Sequence, residues 1–166
     1  MGKLAIAIIT TSQGIPFLHA GTEILRSKGG HHDSYRSPDL LNQIKWKRKS
    51  ELKGFFEFTR KCIELRAQHP AFRMRTEKEI GEKLKFFKKY IPGVVCYELG
   101  DYANNDSWRR VLVLLNGNNY SVEVEIPEEE WMVIAQDSKI NSGDRDFINS
   151  PIVKLHRISM MVLAVD

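Results

Sequence analysis

Between Glu23 and Trp46 the chain gathers side chains suited to holding a carbohydrate: Glu23, Arg26, Asp33, Tyr35, Arg36, Asp39, Asn42 and Trp46. A sugar presents hydroxyls and apolar ring faces. A site for one therefore needs carboxylates, amides, a guanidinium and an aromatic surface for stacking. Each residue also has a plain structural reading: Glu23 ties down a loop amide, Trp46 fills a core, Asp39 caps a turn. Other chemistries fit less well. His19, His31, His32, Cys62 and Cys96 are metal-ligand types. However, adjacent His31-His32 lacks the i, i+4 helical pairing of metalloproteases, and the cysteines lack CxxC spacing. The stretch from Gly21 to Gly30 contains neither GxxxxGK[ST] nor GxGxxG, so it is no phosphate loop. Neither a metal nor a cofactor is expected.

The elements that must carry this loop are partly legible. Leu4 to Ile9 reads as the end of a helix, and Thr10 to Gln13 as a polar break. Gly14-Ile15-Pro16-Phe17-Leu18 then predicts a short strand buried on both faces, with Pro16 tolerated near its start. Helix, turn and all-apolar strand make one step of a parallel α/β fold. From His19 to Ser50 periodicity disappears and turn-forming clusters take over. Loops of that length are usually functional.

Residues 51–69 predict a helix, with Ser50 as its cap and Glu51 at the positive end of its dipole. Leu52, Phe55, Phe56, Thr59, Cys62, Ile63 and Leu65 share its apolar side, with Phe58 at the margin. Lys53, Glu57, Arg60, Lys61 and Glu64 take the other side. Cys62 reads as core, not as a nucleophile. Arg66 projects near the apolar side, as a paired residue or one at a domain seam. His69-Pro70 ends the helix, and Thr76 to Ile80 reads as a turn. Beyond it the period is two, with strands at Leu84–Lys88, Val94–Leu99, Arg110–Asn116, Ser121–Ile126, Met132–Gln136 and Ile152–Val165, the last long enough to contain a break. Turn signals at Pro92-Gly93, Gly100-Asp101, Asn116 to Asn119 and Ser142-Gly143-Asp144 separate them. This spacing predicts an antiparallel sandwich. The expected division is 1–75 and 76–166.

Length and charge set outer bounds. At 166 residues the chain is one domain, or one and a half, and too short for a complete (β/α)8 barrel of about 250 residues. It has no run of 18 apolar residues to span a membrane, and no secretion signal is read in it, so the cytoplasm is favoured. Two cysteines make no disulfide scaffold. The net charge of +4 divides into +1 over residues 1–44, +9 over 45–90 and −6 over 91–166. A basic middle raises a nucleic-acid partner. Acidic residues alternate with the basic ones along 51–69, and a solvated helix face is the better reading, so no nucleic acid is expected.

Ser12-Gln13-Gly14-Ile15-Pro16-Phe17-Leu18-His19-Ala20-Gly21-Thr22-Glu23 resembles the last barrel strand and following loop of type I pullulanases, α-1,6-glucan debranching enzymes of glycoside hydrolase family 13. The likeness runs on through Leu25 to Gly30, Asp33-Ser34-Tyr35-Arg36-Ser37-Pro38-Asp39, Asn42 to Trp46, Leu65-Arg66, His69 to Met74, Leu114 to Asn118 and Glu130-Trp131. The G-x-P-x-x-x-x-G-x-E pattern is shared across the wider amylase family. The S-Y-x-S-x-D-x-x-N stretch narrows it to pullulanase-like members.

The resemblance implies an α+β chain: helix, last strand and last helix of a (β/α)8 barrel, then an all-β antiparallel sandwich. It implies a C-terminal fragment whose family uses an aspartate nucleophile, a glutamate acid/base and a stabilising aspartate, all carried upstream of these residues. No catalytic residue is assigned. By the same analogy Tyr35, Asp39 and Asn42 line the sugar cleft, while His19, Gly21 and Glu23 shape the strand end and loop. The implied partners are an α-glucan and the missing N-terminal barrel portion. The alternative is a stand-alone carbohydrate-binding or structural sandwich module. Thr22 and Lys45 depart from the family pattern, Lys45 reversing a usual acidic charge. A strand at 14–18 would lack neighbours in this chain, so the segment is expected to repack, self-associate or stay poorly ordered.

Overall fold

Arg110–Asn116 and Ser159–Val165 are apolar at almost every position, and both are buried on both faces. A strand that alternates has one wet face; a strand that does not must be covered twice. A computed structural model describing residues 1–89, 91–141 and 146–166 shows the two covers. The turn expected at Ser142-Gly143-Asp144 lies outside the described residues.

The strands are β1 (Leu84–Phe86), β2 (Val94–Leu99), β3 (Arg110–Asn116), β4 (Val122–Glu125), β5 (Trp131–Asp137), β6 (Lys139–Ile140), β7 (Phe147–Ile148), β8 (Ile152–Leu155) and β9 (Ser159–Val165). The main sheet runs β1-β2-β3-β9-β5-β6, with β7 also on β5, and β4 and β8 form a second, two-stranded sheet. The pairings are antiparallel, and β3 lies against β9 in unbroken register from Arg110↔Val165 to Asn116↔Ser159.

One face of the main sheet, with Tyr97, Leu99, Val111, Val113, Val162 and Ala164, packs on helices. These are α1 (Gly2–Thr11), supplying Leu4, Ile6 and Ala7, and a long helix supplying Phe58, Cys62 and Leu65. The opposite face, with Leu112, Leu114, Trp131, Val133, Met161 and Leu163, is covered by Val124, Ile126, Val153 and Leu155 of the small sheet. The result is three layers, helices on sheet on short sheet. In β5 the register shifts between Val133 and Ala135. That bulge turns Ile134 and Ala135 both toward the helices. The break expected within 152–165 falls at His156-Arg157-Ile158, where Ile158 has φ 47°. There the chain leaves one sheet and enters the other.

Several local expectations need correction. Three short helices, α2 (Asp39–Asn42), α3 (Arg48–Glu51) and α5 (Glu77–Lys83), accompany the long α4 (Lys53–Gln68). Ser50 does not cap α4, because it lies inside α3 and its hydroxyl donates to the Lys47 carbonyl at 2.8 Å. Phe58 is central to the α4 stripe rather than marginal, together with Thr59, Cys62, Leu65 and Arg66, whereas Ile63 faces solvent. The stripe is fixed by what α1 and the sheet leave open. The turn expected at Thr76 to Ile80 is the start of α5, and the Thr76 hydroxyl accepts from Glu79 N–H at 3.2 Å. A Thr followed three residues later by Glu is the signal that was there to be read.

Residues 14–18 do not form a buried strand. They pair with no strand among the described residues, bend at Gly14 with φ 87°, and leave Ile15 98% and Phe17 80% exposed. Two flanking strands would be needed to hide both faces, and the main sheet has none to give.

Candidate functional site

The loop from His19 to Lys47 is fastened at both ends by groups that act on its backbone. After residues 14–18 the chain turns at Gly21, whose φ of 93° suits glycine and whose missing Cβ admits the Arg26 side chain. The Gly21 N–H donates to Glu23 Oε2 at 3.0 Å, and the His19 carbonyl accepts from Thr22 N–H at 2.9 Å and its hydroxyl at 2.6 Å. Thus His19, Gly21 and Glu23 form one tight turn, and Glu23 does the amide-tying its structural reading describes. Ile24, fully buried, pins the turn to the helical layer, and Arg48 Nε donates to its carbonyl at 3.1 Å.

The second half is knit by amides and cations. Asn42 Nδ2 donates to the Ser34 carbonyl at 2.6 Å and to the Ser37 carbonyl at 2.9 Å, closing the loop over residues 34–42. The Arg26 guanidinium donates to the Asn42 carbonyl and Lys28 Nζ to the Ser34 hydroxyl at 2.6 Å. Arg26 Nε is buried without a partner among the described residues. The side chains left outward are chemically mixed. Tyr35 is 73% exposed with the Arg36 guanidinium 5.1 Å from its ring centroid, Trp46 is 62% exposed, and Asp39 opens α2 in solvent. Trp46 is therefore not core. Tyr35, Asp39 and Asn42 belong to one loop, but Asn42 spends its amide protons on that loop. Asp33, His31 and His32 are exposed as well. Among the described residues no group of three or more His, Cys, Asp or Glu side chains could hold a metal ion.

Two buried polar clasps hold the loop's supports in place. Arg66 donates to the carbonyls of Thr10 (3.0 Å), Ser12 (2.7 Å) and Gly14 (2.6 Å), so a cation sits on the C-terminal carbonyls of α1. Tyr97 adds its hydroxyl to the Thr11 carbonyl at 2.8 Å. Gln13 holds the other side of the break, bonding the Ala71 carbonyl at 2.8 Å and Met74 N–H at 3.0 Å. Of the two expectations for Arg66, the structure shows the paired one, with its guanidinium on carbonyls at the end of α1 and just beyond it. The second clasp was missed in the sequence. Buried Asp106 accepts from His69 Nδ1, Ala71 N–H and Trp108 N–H, each at 3.0 Å, while the His69 ring stacks on Trp108 with centroids 3.3 Å apart. Burial pushes the Asp106 carboxyl up, but the three donors outweigh it and hold the group below the usual carboxylate range. The only local signal was Asp two residues before Trp, an Asx turn. Burial raises the Cys62 thiol to about 12 and the Cys96 thiol to about 11, which makes both poor nucleophiles.

Comparison with known proteins bears on this architecture. Residues 80–139, which span β1 to β5, match the family model "Pullulanase, all-beta domain". A pullulanase of Bacillus subtilis is 36% identical over 129 residues, covering 76% of this chain and 18% of that protein. The chain carries a pullulanase all-beta domain and resembles type I pullulanases along most of its length. Pullulanases also supply its structural likenesses. The structure of a pullulanase from Bacillus acidopullulyticus superposes with a TM-score of 0.93 at 36% identity, over 98% of this chain and 20% of that one. The type I pullulanase of Bacillus subtilis solved with maltose gives 0.91 at 32% identity, over 99% and 23%. A glycogen debranching enzyme of Escherichia fergusonii is 30% identical over 141 residues, covering 77% of this chain and 20% of that enzyme. The chain therefore spans about a fifth of the length of the curated relatives it matches. Pullulanase and debranching relatives together mark a debranching glycoside hydrolase family, with mixed helix and antiparallel sheet in this part of it.

Proposed function

We propose that this chain is the C-terminal portion of a pullulanase-type glycoside hydrolase that cleaves α-1,6-glucosidic branch links in pullulan, starch or glycogen. Residues 1–75 are the end of its (β/α)8 barrel and residues 76–166 its C-terminal β-sandwich. The observation that carries this reading is the segment Gly14–Leu18. It is tethered at Gly14 by Arg66 and leaves Ile15 and Phe17 to solvent on a chain that superposes almost entirely on a pullulanase. Such a segment suits a barrel strand whose neighbours lie elsewhere.

Retaining glycoside hydrolysis needs two carboxylates about 5–5.5 Å apart across the scissile bond. The family resemblance assigns those groups to earlier barrel strands, so this chain by itself cleaves nothing. Its part is to complete the barrel and to furnish one wall of the cleft, since loops after barrel strands build that face. There Tyr35 offers a ring to a sugar face, Asp39 a carboxylate to hydroxyls, and Asn42 the fold of the loop between them. The test is complementation. Bacillus subtilis pullulanase lacking the region that matches this chain is mixed with the purified chain, and release of reducing sugar from pullulan is followed. Activity should appear only in the mixture; activity of the chain alone, or none in the mixture when both parts are folded, defeats the reading.

A second reading, a carbohydrate-binding module without catalysis, draws on the exposure of Tyr35 and Trp46 in a loop already fastened from within. Titration with maltotriose, monitored by amide shifts, separates the two. Binding at millimolar sugar by the chain alone favours the module, and absence of any shift removes it.

A further inference from the structure

The small sheet is shorter than the one it covers. β4 pairs with β8 on one side and with nothing on the other among the described residues. Beyond that edge the outer face of β1 and β2 is uncovered, and a groove of about 530 Å³ lies there. Its floor includes Phe87, Val94 and Cys96, and Val124 and Pro127 form its wall. Phe87, Val94 and Cys96 are only partly buried against the apolar cluster between the two sheets. The volume falls within the range of about 300–1,000 Å³ usual for binding clefts.

Register shows which atoms face the groove. Ile126 N–H donates to the Pro151 carbonyl at 2.8 Å. Bonded and non-bonded pairs alternate in an antiparallel ladder, so Val124↔Val153 and Val122↔Leu155 are bonded pairs. Glu123 and Glu125 then aim their backbone N–H and C=O groups away from β8, along the edge bordering the groove. An open strand edge above an apolar floor is a template for one more extended chain. Its mouth is cationic. Lys88 has no ion-pair partner among the described residues, and Lys89 Nζ reaches Glu125 Oε1 at 2.6 Å in an exposed pair. Exposed pairs contribute little, so an incoming carboxylate can replace Glu125 at small cost.

We propose that this groove binds an extended peptide segment by strand addition to β4. Apolar side chains at alternate positions enter between Phe87, Val94 and Cys96, and an acidic residue meets Lys88 or Lys89. A glucan fits less well: Phe87 offers a ring to stack on, but among the described lining residues the groove has no side-chain amide and one carboxylate, Glu125, already paired with Lys89. Hexapeptides displayed on phage are selected against the immobilised full chain, and the enriched sequence, synthesised with blocked ends, is titrated by calorimetry. The expected result is a pattern of alternate apolar residues with an acidic one. Its binding should weaken at least tenfold in Glu123→Pro, which removes an outward N–H and leaves the β8 bonds, and in Cys96→Phe, which fills the floor. If Glu123→Pro does not fold, Cys96→Phe and Val94→Trp carry the test. Failure of the pattern to enrich, or unchanged affinity in Cys96→Phe, overturns the proposal. So does displacement of the peptide by maltotriose, which gives the groove to glucan. Concentration-dependent dimerisation abolished by Cys96→Phe gives it to a second copy and likewise overturns the proposal.

Discussion

The centre of the main sheet and the segment from Gly14 to Trp46 handle apolar residues in opposite ways. In β3 and β9 every aliphatic side chain has a partner surface, helices on one face and the small sheet on the other. In the 14–46 segment Ile15, Phe17, Tyr35, Leu40 and Trp46 stand in solvent, and order comes from side chains bonding to carbonyls. The first region is stabilised by apolar burial within the chain. The second is fastened in shape but not covered, which is the condition of a surface made for contact. The difference teaches that order and burial are separable: side chains bonded to carbonyls fix the backbone of the second region while its apolar side chains stay exposed.

The largest effect that can sharpen this comparison is at Trp131, fully buried, with Nε1 donating to the Pro127 carbonyl at 2.8 Å and the Arg110 guanidinium over its ring. Trp131→Ala should cost about 3–5 kcal/mol in thermal or denaturant unfolding. A loss below 1 kcal/mol would mean that the small sheet is not an integral cover. Next comes Arg66→Met, which strands three carbonyls at the end of α1. Charged hydrogen bonds contribute about 1.5–3 kcal/mol, and a loss of that order is expected, with faster amide exchange in residues 10–14. Unchanged exchange would detach the loop's support from the clasp.

Asp106→Asn should cost somewhat less, about 1–3 kcal/mol, since one buried oxygen becomes a donor facing donors. It also carries a pH signature. The folded-state pKa of Asp106 lies below its unfolded value, so its contribution is fully present above the ordinary carboxylate range and is lost as pH falls through the folded value. Stability measured from pH 5 down to pH 2 should fall less steeply in Asp106→Asn than in the parent chain. Parallel slopes would contradict the clasp. Smallest is the double change Ile15→Ser and Phe17→Ser, expected to alter stability by no more than about 0.5 kcal/mol because neither side chain is buried. The same pair should nevertheless abolish complementation of the truncated pullulanase. A large destabilisation would show that these residues pack within the chain, and intact complementation would sink their role as a barrel strand.

Much of the strand plan was legible because it rests on short-range signals. Arg110–Asn116 and Val94–Leu99 coincide with their expected bounds, since turn residues punctuate them and β-rich composition fills them. The Tyr35 to Asn42 stretch was legible as a polar loop, although the use of Asn42 as its internal tie was not. Errors came where a neighbour decides. Ser50 looked like a cap until α3 claimed it, and Phe58 looked marginal until α1 arrived beside it. Asp106 gave almost no warning, since its three donors lie near residues 69–71 as well as in its own turn.

By itself the sequence determined the period-two strands, the α4 stripe in outline, the aromatic and polar character of the loop, and the family likeness. Each depends on residues close in the chain or on a motif read directly. Only the tertiary structure decided that the central strands are covered twice, that Arg66 ties α4 to the end of α1 and Asp106 ties the end of α4 to the turn before β3, that β4 ends the small sheet with an open edge, and that Ile15 and Phe17 remain outside. Those outcomes depend on which surfaces meet, and a side chain's burial is set by its partner in space rather than by its neighbours in sequence.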